Sequence, residues 1–153
     1  MVGPNVKGNP LHISVCLLVA SYILGEFFIP KYPLAYFIQL IGVLGLILSV
    51  AFFIAGFALF KSYGEDPNPS SSTNRLIKTG IYAYSRNPIY LSFLLFFLSM
   101  FFVFENVLYF LSAVGLSIWL HNWVIHAEEI YLQDKFSDEF VRYKQAVKRW
   151  LFF

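Results

Sequence analysis

The chain has 153 residues, of which 58% are hydrophobic and only 13% charged, and its formal net charge is +2. Soluble domains carry roughly a quarter charged residues, so this deficit excludes an ordinary water-soluble fold and indicates an integral membrane protein. The small net charge gives no case for a nucleic-acid partner, and a single cysteine, Cys16, excludes an intrachain disulfide framework.

The length predicts a single membrane domain, 1–153. A first apolar segment covers 11–29 and stops at Pro30-Lys31-Tyr32-Pro33. The second, 34–60, is longer than the ~20 residues a bilayer requires, which predicts tilt or protrusion. Within it Gly42, Gly45 and Ser49 recur at helical spacing, a small-residue strip suited to close helix packing. Residues 61–80, rich in Pro, Ser, Asn and Gly, read as a loop. Two more apolar segments, 88–104 and 107–125, are separated by Glu105 and Asn106 alone, which predicts an antiparallel helical hairpin. From 127 to 147, Leu132, Phe136, Phe140, Tyr143 and Val147 recur at three- and four-residue steps, with Lys135, Asp138, Glu139 and Arg142 between them. That is the pattern of an amphipathic helix. Trp150-Leu151-Phe152-Phe153 suits an interfacial anchor. The predicted fold class is all-α: a polytopic membrane protein with about four transmembrane helices, a cytoplasmic loop and a C-terminal amphipathic helix.

The basic residues predict orientation. With four spans, Lys7, Lys61, Arg75, Lys78, Arg86, Lys135, Arg142, Lys144, Lys148 and Arg149 share one side, and Lys31 alone lies opposite. The positive-inside rule then predicts both termini in the cytoplasm, in a bacterial or archaeal inner membrane or the endoplasmic reticulum membrane.

Two constellations carry possible chemistry. Asn87 followed by Pro88 is a favoured helix start, with asparagine as cap and proline at the first helical position. The free N–H groups of such a start favour an anion, and Arg86 adds a charged fork suited to carboxylate or phosphate. The second constellation lies in 121–132: helical spacing puts His121, Ile125 and Glu128 on one face, with Asn122 and Glu129 on the adjacent one. Ionisable groups near membrane depth usually face an interior or a water-filled cavity. The hairpin returns this end to the membrane face of Arg86, so a cationic mouth and a carboxylate pair are predicted to line one pocket. His121 and His126 are not the i, i+4 pair of a helical zinc site, and no metal is expected. No Rossmann, P-loop or nucleophile-elbow motif is present, so a nucleotide-like cofactor would need another kind of site.

From Leu76 to Val147 the order Leu76-Ile77, Gly80, Tyr82, Arg86-Asn87-Pro88, Tyr90, then Glu128-Glu129, Leu132, Phe136, Glu139-Phe140, Tyr143 and Val147 forms one spaced pattern. It resembles the isoprenylcysteine carboxyl methyltransferase and phospholipid methyltransferase superfamily of membrane enzymes. The resemblance implies S-adenosyl-L-methionine as methyl donor, held on the cytoplasmic side by the part 61–153. It assigns cofactor contacts to Asn74, Leu76, Ile77, Tyr82, Asn87, Pro88, Tyr90 and Glu128, and catalytic roles to Arg86, Glu128 and Glu129. It implies a lipophilic acceptor, prenylated or lipid, drawn from among the membrane lipids. A carboxylate acceptor, as in isoprenylcysteine carboxyl methylation, has a pKa near ~4 and needs no base. A phospholipid amine, with a pKa of ~10, must first lose a proton, for which His121, His126 and Glu129 are the candidates. An NADPH-dependent membrane reductase sharing R-x-P-x-Y and a non-enzymatic membrane scaffold are the alternatives. Against the superfamily pattern, Asn87 stands where the eukaryotic carboxyl methyltransferases have histidine, Val124 where they have a substrate-linked arginine, Ser137 where glycine is usual and Lys148 where proline is common.

Overall fold

The computed structural model describes residues 3–151, so Phe152 and Phe153 of the expected interfacial anchor lie outside the described residues. Within them the regular structure is all helical. Helix α1 is Pro10–Phe27, capped by Asn9, whose Oδ1 accepts from the Leu11 N–H at 2.9 Å. Helix α2 is Tyr36–Tyr63, and at 28 residues it is about 42 Å long. This exceeds a ~30 Å hydrocarbon core, so it protrudes. It passes through Lys61 and ends at Gly64, whose φ of 69° is the left-handed stop that glycine tolerates; the loop therefore begins later than residue 61. A short 3-10 turn, Gly80–Ala83, interrupts that loop before α3, Pro88–Phe104.

The chain then turns at Glu105-Asn106 into α4, Val107–Trp119, as the short connection predicts. Beyond α4 the expectation of two separate helices is corrected. A π-helical turn, Leu120–Ile125, leads without a break into α5, His126–Ala146. No glycine or proline lies in 120–127 to stop the helix, so the surplus residue is absorbed as a wider turn. Inside α5, Ser137 has φ 42° and ψ −114°, which kinks the amphipathic part. Positive φ is readily taken by glycine and costly for serine, which gives a physical reason for the glycine usual at this place in the superfamily pattern.

Among the described residues three helices are long and apolar enough to cross a membrane: Pro10–Phe27, Tyr36–Tyr63 and the continuous Val107–Ala146; α3 is apolar but shorter. Large apolar side chains such as Val19, Ile23, Leu44, Ile47 and Ile54 point outward, while Ser21, Ser49, Ser92, Ser99 and Asn106 are buried. Lipid needs no apolar core, and small or polar residues join the helices. The protein is an integral membrane protein of all-α class.

The closest packing lies between α2 and α3. A Cβ at Gly42 would stand 2.8 Å from Phe102 Cβ, and one at Gly45 would strike the Ser99 hydroxyl. The small-residue strip thus allows these two helices to approach. On the other flank, Gly25 of α1 lies against the Asn106 amide. Asn106 donates to the Ser21 carbonyl at 3.2 Å and caps α4 by accepting from Leu108 N–H at 2.9 Å. Glu105 accepts from the Leu34 N–H at 2.6 Å and from Gln39 at 2.8 Å, which ties the two outer turns together.

Candidate functional site

At the opposite end of the bundle, where α2 ends and α3 begins, an open cleft with a cavity of about 130 Å³ lies beneath the loop. Its polar side is formed by Arg86, Glu128, Glu129 and Tyr131, and an apolar shelf by Leu76, Ile77, Leu132 and Phe140. Tyr82, Tyr90, Phe60 and Ile89 also line the cleft. The turn Gly80–Ala83 fixes Tyr82: its ring meets Phe60 edge-on at 5.8 Å, and its carbonyl accepts from the Tyr143 hydroxyl at 2.7 Å. The loop is tied over the cleft by Glu65, whose buried carboxylate accepts from Thr73 Oγ1 at 3.1 Å and Asn74 N–H at 2.9 Å. The Thr73 N–H donates to the Tyr131 hydroxyl at 3.2 Å, so α5 holds the loop as well.

Eight of the ten distinct sequence-predicted site residues come together here: Leu76, Ile77, Tyr82, Arg86, Asn87, Tyr90, Glu128 and Glu129. The other two do not. Pro88 is fully buried as the first residue of α3, and Asn74 has an exposed side chain outside the cleft lining.

The two carboxylates have different surroundings. Glu129 is clamped by two arginines: Arg86 Nη2 lies 2.7 Å from Oε1, and Arg149 donates through Nε at 3.1 Å and through Nη2 to the second oxygen. Burial pushes the Glu129 pKa up, but the hydrogen bond from Arg149 and the charge and hydrogen bond of Arg86 outweigh it and hold the group below its usual value. Glu128 has no cation beside it among the described residues. Its Oε1 accepts from the Tyr90 hydroxyl at 2.7 Å. Withdrawal of this carboxyl from water, reinforced by the neighbouring charge of Glu129 and only partly offset by Tyr90, pushes its pKa up to about 8.

The helix start differs from its sequence reading. Asn87 occupies the cap position of α3, but its side chain makes no capping hydrogen bond. Instead Nδ2 donates to the Arg149 carbonyl at 3.0 Å. Arg86 is not an open cationic mouth either. Its Nη1 donates to the Val147 carbonyl at 2.9 Å and the Lys144 carbonyl at 3.2 Å, and Nη2 faces Glu129. Its Nε alone is buried without a partner. His121 was grouped with Glu128 by ideal helical spacing. The wider π-helical turn changes their angular register, and His121 instead meets Arg149 at 2.9 Å, on the side of Glu129. His126 is exposed, and neither histidine lines the cleft. Sequence reading missed Glu65, Tyr131 and Arg149. Only Arg149 left a trace, as one more charge in the basic tail.

A carboxyl withdrawn from water with no cation beside it among the described residues, an apolar shelf and two tyrosines make a cleft suited to a ligand that carries a cation and a flat apolar ring. Among the described residues no cluster of three His, Cys, Asp or Glu side chains could hold a metal ion. Comparison with known proteins agrees with this architecture. An uncharacterized protein of Haemophilus influenzae is 41% identical to the chain over 63 residues, which are 41% of this chain and all of that protein. The family model for phospholipid methyltransferase matches residues 37–139, from α2 through the cleft to the kinked part of α5. The chain belongs to the phospholipid methyltransferase family, within the wider group of membrane methyltransferases that includes the isoprenylcysteine carboxyl methyltransferases.

Proposed function

We propose that the chain is an S-adenosyl-L-methionine-dependent methyltransferase acting on an amphiphilic acceptor at the cytoplasmic membrane face, with part 61–153 forming the cofactor site. The observation that carries this reading is Glu128, a cleft carboxyl withdrawn from water with no cation beside it among the described residues. Bound there, the cofactor supplies an electrophilic methyl group on a sulfonium. Glu128 would pair with a cationic part of that molecule, and the Tyr90 hydroxyl would fix the rotamer of Glu128. Leu76, Ile77, Leu132 and Phe140 would take the flat ring and exclude water. Phe60 and Ile89 leave an apolar side through which a lipid tail can reach the cleft from the membrane.

The acceptor follows from the proton inventory. Glu129 is locked between two arginines, and His121 and His126 are outside the cleft, so none of the three serves as a base. An acceptor already ionised at neutral pH, such as a carboxylate, needs no base. A phospholipid amine is the second reading, favoured by the family match.

Calorimetric titration of detergent-purified protein with S-adenosylmethionine, S-adenosylhomocysteine and NADPH tests the assignment. Binding of the first two and not the third is the expected result. Binding of NADPH alone would transfer the protein to the reductases, and binding of none would favour a scaffold. Orientation has its own test. A reporter fused after residue 151 is expected to be active on the cytoplasmic side, and activity on the other side would overturn the four-span topology.

A further inference from the structure

Residues 147–150 bond to the start of α3, to the π-helical turn and to the first turn of α5. The turn Ser85-Arg86-Asn87 aims its donors at successive carbonyls of the chain leaving α5. Arg86 Nη1 reaches those of Lys144 and Val147, and the Arg86 backbone N–H donates to that of Lys148 at 3.0 Å. Ser85 Oγ and Asn87 Nδ2 both donate to the carbonyl of Arg149, at 3.3 and 3.0 Å. Carbonyls at the end of a helix lack intrahelical partners, and a cation there is favoured by the helix dipole. Having been held by its backbone, Arg149 then turns its side chain back to both oxygens of Glu129 and to His121 of the π-helical turn. Trp150 is buried in one core cluster with Tyr90, Leu120 and Val124. Three places meet in this segment: the start of α3, the π-helical turn and the first turn of α5.

We propose that residues 147–150 form a strap that sets the orientation of Glu128 in the cleft, with Arg149 and Glu129 as its positioning residues and Ser85-Arg86-Asn87 as its receptor. Glu128 is adjacent in sequence to the clamped Glu129, and its hydrogen-bond partner Tyr90 packs in the cluster that Trp150 completes. Both ends of the Tyr90–Glu128 hydrogen bond are thereby tied to the strap. The conspicuous Arg-Asn-Pro run then holds protein, not cofactor, and this replaces the anion-binding role first read for Arg86. The proposal rests on the assignment of the cleft to the cofactor.

The test is S-adenosylhomocysteine binding across pH by full-length Arg149→Ala, Arg149→Lys and wild-type protein, with amide hydrogen exchange of 144–151 in the ligand-free state. Glu128 is faced by Tyr82, Tyr90 and Glu129, with Arg86 and Arg149 behind Glu129. Losing Arg149 leaves more of the Glu129 charge unbalanced. Arg149→Ala is expected to weaken binding about tenfold, to move the pH midpoint of binding upward and to speed exchange in the strap. Arg149→Lys keeps the charge without the fork, so it should restore the midpoint while affinity stays below wild type. Wild-type affinity and midpoint in Arg149→Ala would overturn the proposal while leaving the cofactor reading intact. No binding by the wild type would overturn that reading and the proposal with it. If Arg149→Ala does not fold, Arg149→Lys decides: weaker binding at an unmoved midpoint supports the strap, and unchanged affinity overturns it.

Discussion

Glu128→Gln is expected to weaken S-adenosylmethionine binding about 100-fold, a loss of about 2.8 kcal/mol, while the protein keeps its fold. Glutamine preserves the shape and can still accept from the Tyr90 hydroxyl, so the change removes charge and little else. The pH dependence gives the sharper signature. With a pKa near 8, Glu128 is mostly protonated at neutral pH, and a cationic ligand must displace that proton. Wild-type affinity should therefore rise up to tenfold per pH unit towards 8 and level off above it, and the slope should vanish in Glu128→Gln. Calorimetry in buffers of different ionisation enthalpy would count the released proton directly.

The same shift has a consequence for the unliganded protein, with the opposite sign. Between about pH 4.5 and 8 the folded state holds a proton that the unfolded chain releases, so stability falls as pH rises through that window. The contribution is complete below 4.5, where both states are protonated, and is lost by 8. Glu128→Gln should flatten this segment of a stability-versus-pH curve. Comparison of two ligands also locates the carboxylate: if S-adenosylhomocysteine weakens as much as S-adenosylmethionine, Glu128 faces the ammonium common to both, and if only the latter weakens it faces the sulfonium.

Gly25→Ala is expected to cost about 3 kcal/mol, read as a lowered midpoint of thermal unfolding in detergent. The added Cβ would occupy the place of the Asn106 amide, which is buried and cannot move without giving up its bonds to Ser21 and Leu108. Overpacking costs roughly 1–3 kcal/mol, and a buried polar group left unpaired adds about 1–3 kcal/mol. Gly115→Ala is the control. Nothing lies within 4 Å of the Cβ it would acquire, and alanine is favoured over glycine in a helix by about 0.8–1 kcal/mol. It should leave the midpoint unchanged or raise it. Equal losses in the two variants would show that glycine serves flexibility here and not close approach.

The spanning helices were legible because the apolar runs are long and the breaks are punctuated by Pro30, Gly64 and Asn106. The gathering of Arg86, Tyr90, Glu128 and Glu129 was legible because a hairpin with so short a turn returns its two ends to one face. What each of those residues touches was not. Backbone carbonyls are identical in every residue, so nothing in the letters distinguishes an arginine waiting for an anion from one that holds Lys144 and Val147. The π-helical turn also left no sign, since His121, Asn122 and Trp123 are all compatible with an ordinary helix. It nevertheless changes the partner of His121. Ser137 is the opposite case: a single letter that departs from the usual glycine marks the kink in α5.

The strap also sets an order of events during synthesis. Residues 147–150 follow all four apolar segments in the chain, and N-terminal parts of a protein emerge and fold first. The helices can therefore enter the membrane and pair while Glu129 and the Ser85-Arg86-Asn87 turn still lack their partners. On the proposed reading the cleft is completed only when Arg149 and Trp150 have been made, so a nascent chain halted before them would be inserted but would hold a methyl donor more weakly.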